Sequence, residues 1–446
     1  MTAPTLERTT FRTSRLLDFC SHKELIAQTG HREEQWPLVA LKELVDNALD
    51  ACEDAGVAPA IGVTVDDDGI EVSDNGPGLP AQTLDGVLDF SVRVSNREAY
   101  VAPDRGAQGN ALKTIVAMPF VLDGTEGQVE VGAHGTRHLI TLRVDRIRQQ
   151  PVVARSVAPI ALRTGTVVRV RWPSSASAIL AASEERFLQV AGDYALLNPH
   201  LTIAVDWFGA CTKIAATAPA WSKWRPSNPT SAHWYRVDHL ERLIAAYIAH
   251  DADNGRERTV RELVAEFRGL SSTAKQKSIA AATGMSRTRL SDLCDGEQLD
   301  ELAIGALLAA MKAESRPVKP ADLGVIGREH LARRLAEMGC DPESFGYRKK
   351  EGVQAGVPWA IEAAFGWLGD GSTAGRRLVT GVNWSPGIVN PFRELGRFGQ
   401  SLDSILEQQR AGRGEPVVLV LHMACPRVEY TDRGKSAVVI GGSGGA

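Results

Sequence analysis

LKELVDNALDACEDAGV, residues 41–57, predicts one amphipathic helix that ends near Gly56. At roughly 100° per residue, its acidic and amide side chains share a stripe about 100° wide, opposite an apolar stripe that we expect in the core. The polar stripe comprises Glu43, Asp46, Asn47, Asp50 and Asp54. A solvated face normally mixes charge signs, because like charges three or four residues apart repel. The stripe is therefore either a solvated face or a site for a hard cation such as Mg²⁺.

The composition excludes several classes of protein. A chain of 446 residues is too long for one ordinary core, so we expect two to four domains. The net charge of −4, from 50 basic and 54 acidic residues, gives no global attraction to nucleic acid, so any such contact must be local. The six cysteines form no CxxC pair, and no apolar run approaches the ~20 residues of a membrane span. We expect a cytoplasmic protein without a membrane partner.

Four segments are expected along the chain. Residues 1–215 combine helices with paired strands such as AIGVTVDDDGIEVSDNGPG (60–78), which predicts an α/β sandwich with helices on one face of a mixed sheet. Residues 216–236 are rich in Pro, Ser and Trp and predict a linker. Residues 237–337 predict a helical domain, and residues 338–446 predict a domain of β-α-β order.

Three further segments carry candidate chemistry. VSDNGPGLP (72–80) places Asp74 after a strand, where it is either a base-binding carboxylate beside close-approach glycines or part of a simple turn. DRGAQGNALKTI (104–115) puts two glycines before a helix, an arrangement suited to phosphates but weak evidence alone. RTGTVVRV (163–170) places the Thr166 hydroxyl at the start of a strand.

The order of these four segments resembles the GHKL ATPase superfamily, whose Bergerat fold is an α/β sandwich. The superfamily includes type II topoisomerases, MutL-type mismatch-repair proteins, chaperones and sensor kinases. Within it, KELVDNALDACEDAG, DNGPG and ALLNPHLTI (195–203) look most like the B subunit of topoisomerase VI. That family also has a helical insert and a C-terminal β-α-β transducer domain. The resemblance covers residues 35–210 well and the last hundred residues more loosely.

The resemblance implies a division of labour on the phosphate side of an ATP site. Glu43 is then the general base that activates water, Asn47 is the Mg²⁺ ligand, and Asp50 supports the site. This division suits phosphoryl transfer, which needs positioning and charge neutralisation more than covalent chemistry. Asp46 and Asp54 are left as solvated surface, and Mg²⁺ on a triphosphate, rather than a residue of this chain, is expected to balance the acids. The lid around the triphosphate comprises Gly106, Gln108 and Gly109.

The resemblance also implies the base side of the site. Asp74 hydrogen-bonds adenine, Gly78 lines the base pocket, Gly76 belongs to the same D-x-G-x-G motif, and Thr166 backs the adenine.

The lid departs from the topoisomerase VI pattern. Ala111 stands where that family usually has a third glycine, and GNALKTI instead resembles the MutL-type lid. Lys113 either reaches a phosphate or lies on the helix surface, and we favour the surface.

ACPRVEYTDRGKSAV (424–438) resembles the transducer loop whose lysine touches the γ-phosphate. Lys435 is then a catalytic switch lysine that stabilises transferred charge, although DRGKS is also an ordinary basic turn.

QKSIAAATGMSRTRLSDL (276–293) matches a short helix-turn-helix pattern with Gly284 in the turn. Arg287 and Arg289 would lie on or near the second helix, Lys275 and Lys277 before the first, and contact DNA phosphates. A plain helical hairpin is the alternative.

The leading hypothesis is an ATP-binding, Mg²⁺-dependent ATPase subunit that closes as a homodimeric clamp on DNA. A separate cleavage subunit resembling topoisomerase VI A would cut the strands. The alternative is a MutL-like or chaperone-like nucleotide-gated module without strand passage, which the Ala111 lid favours. A protein kinase ranks last, because no phosphoacceptor histidine motif precedes the first block.

Overall fold

The computed structural model describes residues 17, 19–88, 99–105, 111–296, 298–369, 372–393, 400–431 and 437–439. The helices are α1 (His22–Thr29), α2 (Trp36–Asp54), α3 (Ala81–Leu88), α4 (Ala111–Asp123), α5 (Ser177–Ala182), α6 (Glu184–Leu197), α7 (Val237–Asp253), α8 (Val260–Ala265), α9 (Thr273–Thr283), α10 (Glu301–Glu314), α11 (Arg328–Glu337) and α12 (Leu402–Gln408). The strands are β1 (Ala60–Asp66), β2 (Gly69–Ser73), β3 (Gly127–Ala133), β4 (Thr136–Asp145), β5 (Gln150–Pro159), β6 (Thr166–Arg171), β7 (Thr202–Trp207), β8 (Ala210–Ile214), β9 (Cys294–Asp295), β10 (Gln298–Leu299), β11 (Gly346–Gln354), β12 (Val357–Trp367), β13 (Arg377–Val382), β14 (Ser385–Pro386) and β15 (Val417–Ala424).

An eight-stranded mixed sheet organises the first part of the chain. Its order is β5-β4-β3-β6-β2-β1-β7-β8, with β1 and β7 parallel and the other neighbours antiparallel. Alternate strand residues such as Ile61, Val63 and Val65 are buried against α2, α4 and α6, as period-two patterning requires. The α/β sandwich predicted from the sequence is confirmed.

In the part of the chain that the structure describes, the opposite face of this sheet carries ion pairs. Arg169 bonds to Asp66 and Glu71, and Arg171 pairs with Glu130. One packed face and one polar face explain why the strands of this mixed, mostly antiparallel sheet alternate in the sequence.

The helices α7–α11 and a five-stranded sheet share a second core. This sheet has the order β11-β12-β15-β13-β14, and β13 runs parallel to β15 with α12 between them along the chain, the expected β-α-β order. Buried residues of the helices and of this sheet form one apolar cluster, which includes Leu263, Leu308, Val379 and Val420. The helical segment and the C-terminal sheet therefore pack as neighbours on one apolar interior.

Residues 216–236 are built into this second core. Trp224 and Trp234 are 2% and 0% exposed, and the Trp221 indole N–H donates to the Val325 carbonyl at 2.7 Å. Between Ala216 and Arg236 the only regular element is a single 3₁₀ turn, yet the tryptophans anchor the segment. The segment that was predicted to be a linker is therefore a connection that packs into the second core.

Only the first helix and the turn of the predicted helix-turn-helix are present in the structure. Gly284 ends α9 in a left-handed conformation, as expected for the turn. The prediction of a second helix is wrong, because residues 290–293 form one 3₁₀ turn, in which the Asp292 carboxylate accepts from the Arg289 backbone N–H at 2.8 Å. Arg289 forms an ion pair with Glu257, and the Lys275 ammonium donates to the Gly269 carbonyl at 2.8 Å.

No described helix is long and apolar enough to span a membrane.

Candidate functional site

Helix α2 carries the first group of predicted site residues. Asn47 is exposed, Glu43 is half-buried, and Asp50 is 2% exposed. The helix packs against β2 and β6, the strands that lead into the Asp74 loop and out of the Thr166 turn. Glu43 and Asn47 therefore lie on the accessible side of a helix whose other side is fixed in the core.

The Asp74 carboxylate is held where β2 ends and β6 begins. Its Oδ1 accepts hydrogen bonds from the Gly76 N–H at 2.8 Å and the Thr166 N–H at 3.2 Å. The Asp74 N–H in turn donates to the Thr166 carbonyl at 2.9 Å. Burial raises the pKa of Asp74, and the bonds from Gly76 and Thr166 oppose that rise. The structure thus brings together the predicted residues Asp74, Gly76 and Thr166.

Two glycines make this junction possible. Gly165 has φ +82°, and a Cβ there would collide with the Asp74 carbonyl oxygen. Gly78 has φ +90°, and a Cβ there would lie 2.9 Å from the His134 ring. Both positions exclude ordinary side chains, and Gly165 was missed because a G-T pair alone is only a turn before a strand.

Asn75 connects this loop to α2. Its Oδ1 accepts from the Ala60 N–H at 2.8 Å and from the Cys52 thiol at 3.4 Å, while its amide N–H donates to the Ala58 carbonyl at 3.0 Å. Helix α2, the Asp74 loop and the start of β6 are consequently one hydrogen-bonded unit. Three of the four sequence segments meet there.

The predicted lid residues Gly106, Gln108 and Gly109 and the predicted switch lysine Lys435 lie outside the described residues.

A buried ion cluster that the sequence did not predict lies at the far end of α2. The Arg105 guanidinium, 3% exposed, donates to Asp50 at 2.6 Å, to both oxygens of Glu53 at 2.8 and 2.7 Å, and to the Asn198 side-chain oxygen at 2.6 Å. Asp50 therefore supports the helix through Arg105. The only advance signal was an acid at Glu53, three residues after Asp50 and on the same side of the helix.

Two more groups complete this cluster around Glu53. Lys223 lies 2.9 Å from Glu53 Oε2, and the His200 ring nitrogen Nε2 lies 3.0 Å from Oε1. Burial would raise the pKa of Glu53, but Arg105, Lys223 and His200 outweigh it and hold that pKa well below its usual range. Lys223 comes from the packed 216–236 segment, so the cluster joins the two cores.

Asp46 is not solvated surface, which corrects the prediction. It is 5% exposed, and its carboxylate accepts from the Tyr194 hydroxyl at 2.9 Å and the Ser385 hydroxyl at 2.7 Å. The Lys42 ammonium, one helical turn away, donates to it at 2.9 Å. The expectation that no residue of this chain balances the acids is wrong for Asp46 and Asp50, because their partners come from distant positions or reach along the helix.

Of the other two surface expectations, the one for Lys113 is wrong, while Asp54 remains partly exposed. Lys113 is 1% exposed rather than on the surface, because α4 is buried on nearly all sides between α2 and the sheet. Asp54 is half-buried and accepts from the Ser227 N–H at 3.3 Å.

No cluster of three or more metal-ligating side chains occurs within the described part of the chain.

No protein-family model matches the chain, but it is similar to several proteins that share one name. The B subunit of type 2 DNA topoisomerase 6 from Archaeoglobus fulgidus is 22% identical over 414 residues, which is 90% of this chain and 66% of that protein. The protein of the same name from Saccharolobus islandicus is 22% identical over 89% of this chain and 74% of its own length. That of Natronomonas pharaonis is 31% identical over 125 residues, or 26% of this chain and 15% of the relative. The predicted resemblance to the topoisomerase VI B subunit is confirmed, and the matched part of the chain spans 15–74% of these relatives.

Two solved structures align with most of the chain. The N-terminal domain of a DNA repair protein covers 90% of it at 12% identity, with a TM-score of 0.40. The Aquifex aeolicus MutL ATPase domain complexed with ADP covers 86% at 12% identity, with a TM-score of 0.33. These scores are too low to bear on the fold.

Proposed function

We propose that this chain binds ATP with Mg²⁺ and hydrolyses it, in a role resembling that of the topoisomerase VI B subunit. The observation that supports this most is the hydrogen-bonded unit of α2, the Asp74 loop and the start of β6. It combines an accessible amide and carboxylate on a fixed helix with a half-buried carboxylate beside glycine backbone. Such a set fits a nucleotide with its phosphates at α2 and its base at Asp74.

Each residue has one task in this proposal. Asp74, ionised and fixed through Oδ1, accepts from the exocyclic amine of adenine, while Gly78 and Thr166 complete the base side. Asn47 offers its amide oxygen to Mg²⁺, which supplies charge neutralisation at the phosphates when bound. Glu43 orients the attacking water and takes its proton. Gly106, Gln108, Gly109 and Lys435 keep their predicted roles at the triphosphate.

The rest of the proposal concerns assembly. The relatives are named as subunits of a type 2 DNA topoisomerase, and this chain matches only part of their length. We infer that ATP closes a homodimer around DNA and that a separate subunit cleaves the strands. Because the lid carries Ala111, a nucleotide-gated module without strand passage is the second candidate.

ATP turnover with and without duplex DNA tests both candidates. Glu43→Gln keeps the shape of the side chain but cannot accept the proton, so we expect turnover to fall at least a hundredfold while ATP binding persists. Glu34→Gln, at an exposed site before α2, is the matched control and should hydrolyse normally. Full turnover in Glu43→Gln removes the general-base role, and a wild type that binds no ATP removes the proposal. Stimulation by duplex DNA favours the topoisomerase-like candidate over the second.

A further inference from the structure

The outward face of the C-terminal sheet carries a row of aromatic side chains. Trp359, Phe365 and Trp367 occupy odd positions of β12, whose even positions are buried on the opposite face, with Ala364 in the second core. Phe365 is 42% exposed and Trp367 is 36% exposed, which is unusual for side chains of this size. Among the described residues, α12 packs near β13 and β15 on the same side, through Leu402, while the outward side chains Arg348, Lys350, Phe365 and Trp367 of the β11–β12 half are exposed.

Two of these rings lie across glycines of the neighbouring strand. Gly352 is paired with Trp359, and a Cβ on it would lie 2.8 Å from that ring. Gly346 is paired with Phe365, and a Cβ there would collide with the Phe365 ring. Each ring therefore covers the backbone of β11 and keeps its other side outward. Covering a glycine stabilises a hairpin and explains these two positions, but Trp367 has no glycine beneath it.

The charge on this face has one sign. Arg348 and Lys350 lie on the outward side of β11 between the two glycines, and both are exposed. Lys349 and Glu351 alternate to the other side, where they pair at 2.8 Å. Within the described strands β11, β12 and β15, the outward positions hold two cations and no carboxylate. This face thus complements an anion that also has flat apolar surfaces.

We propose that the β11–β12 face binds single-stranded nucleic acid. Side chains on one face of a strand recur about every 6.8 Å, so Phe365 and Trp367 are spaced to stack on successive unstacked bases while the cations contact the phosphates. Trp359 lies three such steps before Phe365 on the same face. Duplex bases are already stacked inside their helix and cannot reach a flat sheet. The site shares no residue with the nucleotide site, so it does not depend on the proposed ATPase.

Binding of a fluorescent twenty-residue oligothymidine to the full chain, followed by anisotropy, tests the inference. Phe365→Ala and Trp367→Ala should each weaken binding roughly tenfold, because each removes one stacking surface. The Arg348→Gln, Lys350→Gln double variant should also weaken it. It should reduce the slope of log affinity against log salt by about 1.4, from about 0.7 per phosphate contact on single strands. Phe208→Ala and Lys213→Gln are the controls, an exposed aromatic and an exposed lysine of the other sheet.

The outcomes separate the alternatives. Equal binding by wild type and all variants places the oligonucleotide elsewhere, and no binding by wild type overturns the inference outright. If a duplex of the same length competes as well as the single strand, the flat-stacking argument fails. If Trp367→Ala instead abolishes self-association in sedimentation while oligothymidine never binds, the face belongs to a protein contact. If the aromatic variants unfold, the Arg348→Gln, Lys350→Gln variant decides whether the face binds the oligonucleotide, because both of its altered side chains are exposed and their loss should not affect folding.

Discussion

The surroundings of Asp74 predict which base the nucleotide site prefers. Its carboxylate is fixed by two backbone donors and can accept from the amine of adenine, whereas the oxygen at the same position of guanine would repel it. Asp74→Asn should weaken ATP binding by about 1.5–3 kcal/mol, the usual range for a hydrogen bond to a charged group. It should also reduce the preference for ATP over GTP. Titration calorimetry measures both, with the exposed Asp67→Asn as the control.

The same residue predicts a pH dependence. Burial raises the pKa of Asp74, and its ionised form is the stronger acceptor for the amine. Affinity for ATP should therefore be full at neutral pH and decline as the pH falls, starting above the ordinary aspartate value of about 3.9. Affinity measured from pH 7 to pH 4 should fall more steeply for wild type than for Asp74→Asn. Parallel curves would mean that another group governs the decline.

At the scale of single elements, α2 depends on Arg105. Removing that guanidinium leaves Asp50 and Glu53 buried with less compensation, which typically costs about 3–5 kcal/mol. Arg105→Met should lower the free energy of unfolding by this amount in denaturant titrations. Arg268→Met, which breaks the more exposed pair with Asp322, should cost at most about 1 kcal/mol. Equal losses in the two variants would show that the buried cluster stabilises no more than a surface pair.

The same elements show what the sequence can and cannot predict. Helix α2, the β1–β2 hairpin and the β13-α12-β15 order follow from local periodicity and turn residues, and all were predicted. The hydroxyl partners of Asp46, Tyr194 and Ser385, lie more than a hundred positions away along the chain, and the burial of Lys113 depends on how α4 packs against α2 and the sheet. No local pattern encodes either. The tryptophans of 216–236 show the same limit. A Pro- and Ser-rich composition predicts a connection but says nothing about what it packs against.

At the scale of the whole molecule, His330 joins α11 to α6, a helix that contributes residues to both cores. Its Nε2 forms a hydrogen bond with the Leu196 carbonyl at 2.8 Å, and its Nδ1 forms one with the Thr217 hydroxyl. Burial lowers the pKa of His330 to about 4, whereas an unfolded histidine titrates near 6.5. The unfolded state therefore gains its proton first, and stability should fall by on the order of 3 kcal/mol as the pH drops from about 6.5 to 4. His330→Gln should lose this component, while the exposed His250→Gln should keep it.

The contact between α2 and the C-terminal sheet predicts an energetic coupling between the two parts of the molecule. Ser385 in β14 donates to Asp46 in α2, one residue before Asn47. If this bond joins the sheet to the helix, the stability losses of Asp46→Asn and Ser385→Ala should not add. Their double-mutant cycle in denaturant unfolding should give a coupling energy of about 0.5–3 kcal/mol. The cycle of Asp46→Asn with Ser278→Ala, whose hydroxyl bonds to Glu314 in the helical region, should be additive within about 0.5 kcal/mol. Because the bond is next to the proposed Mg²⁺ ligand, a coupling that grows when ATP is added would mean that the C-terminal sheet responds to the nucleotide through this serine. Additivity in both cycles would mean that this bond does not couple the two parts, which are also joined by the Arg377–Asp193 ion pair and by the Asn198 amide, which donates to the Trp384 carbonyl.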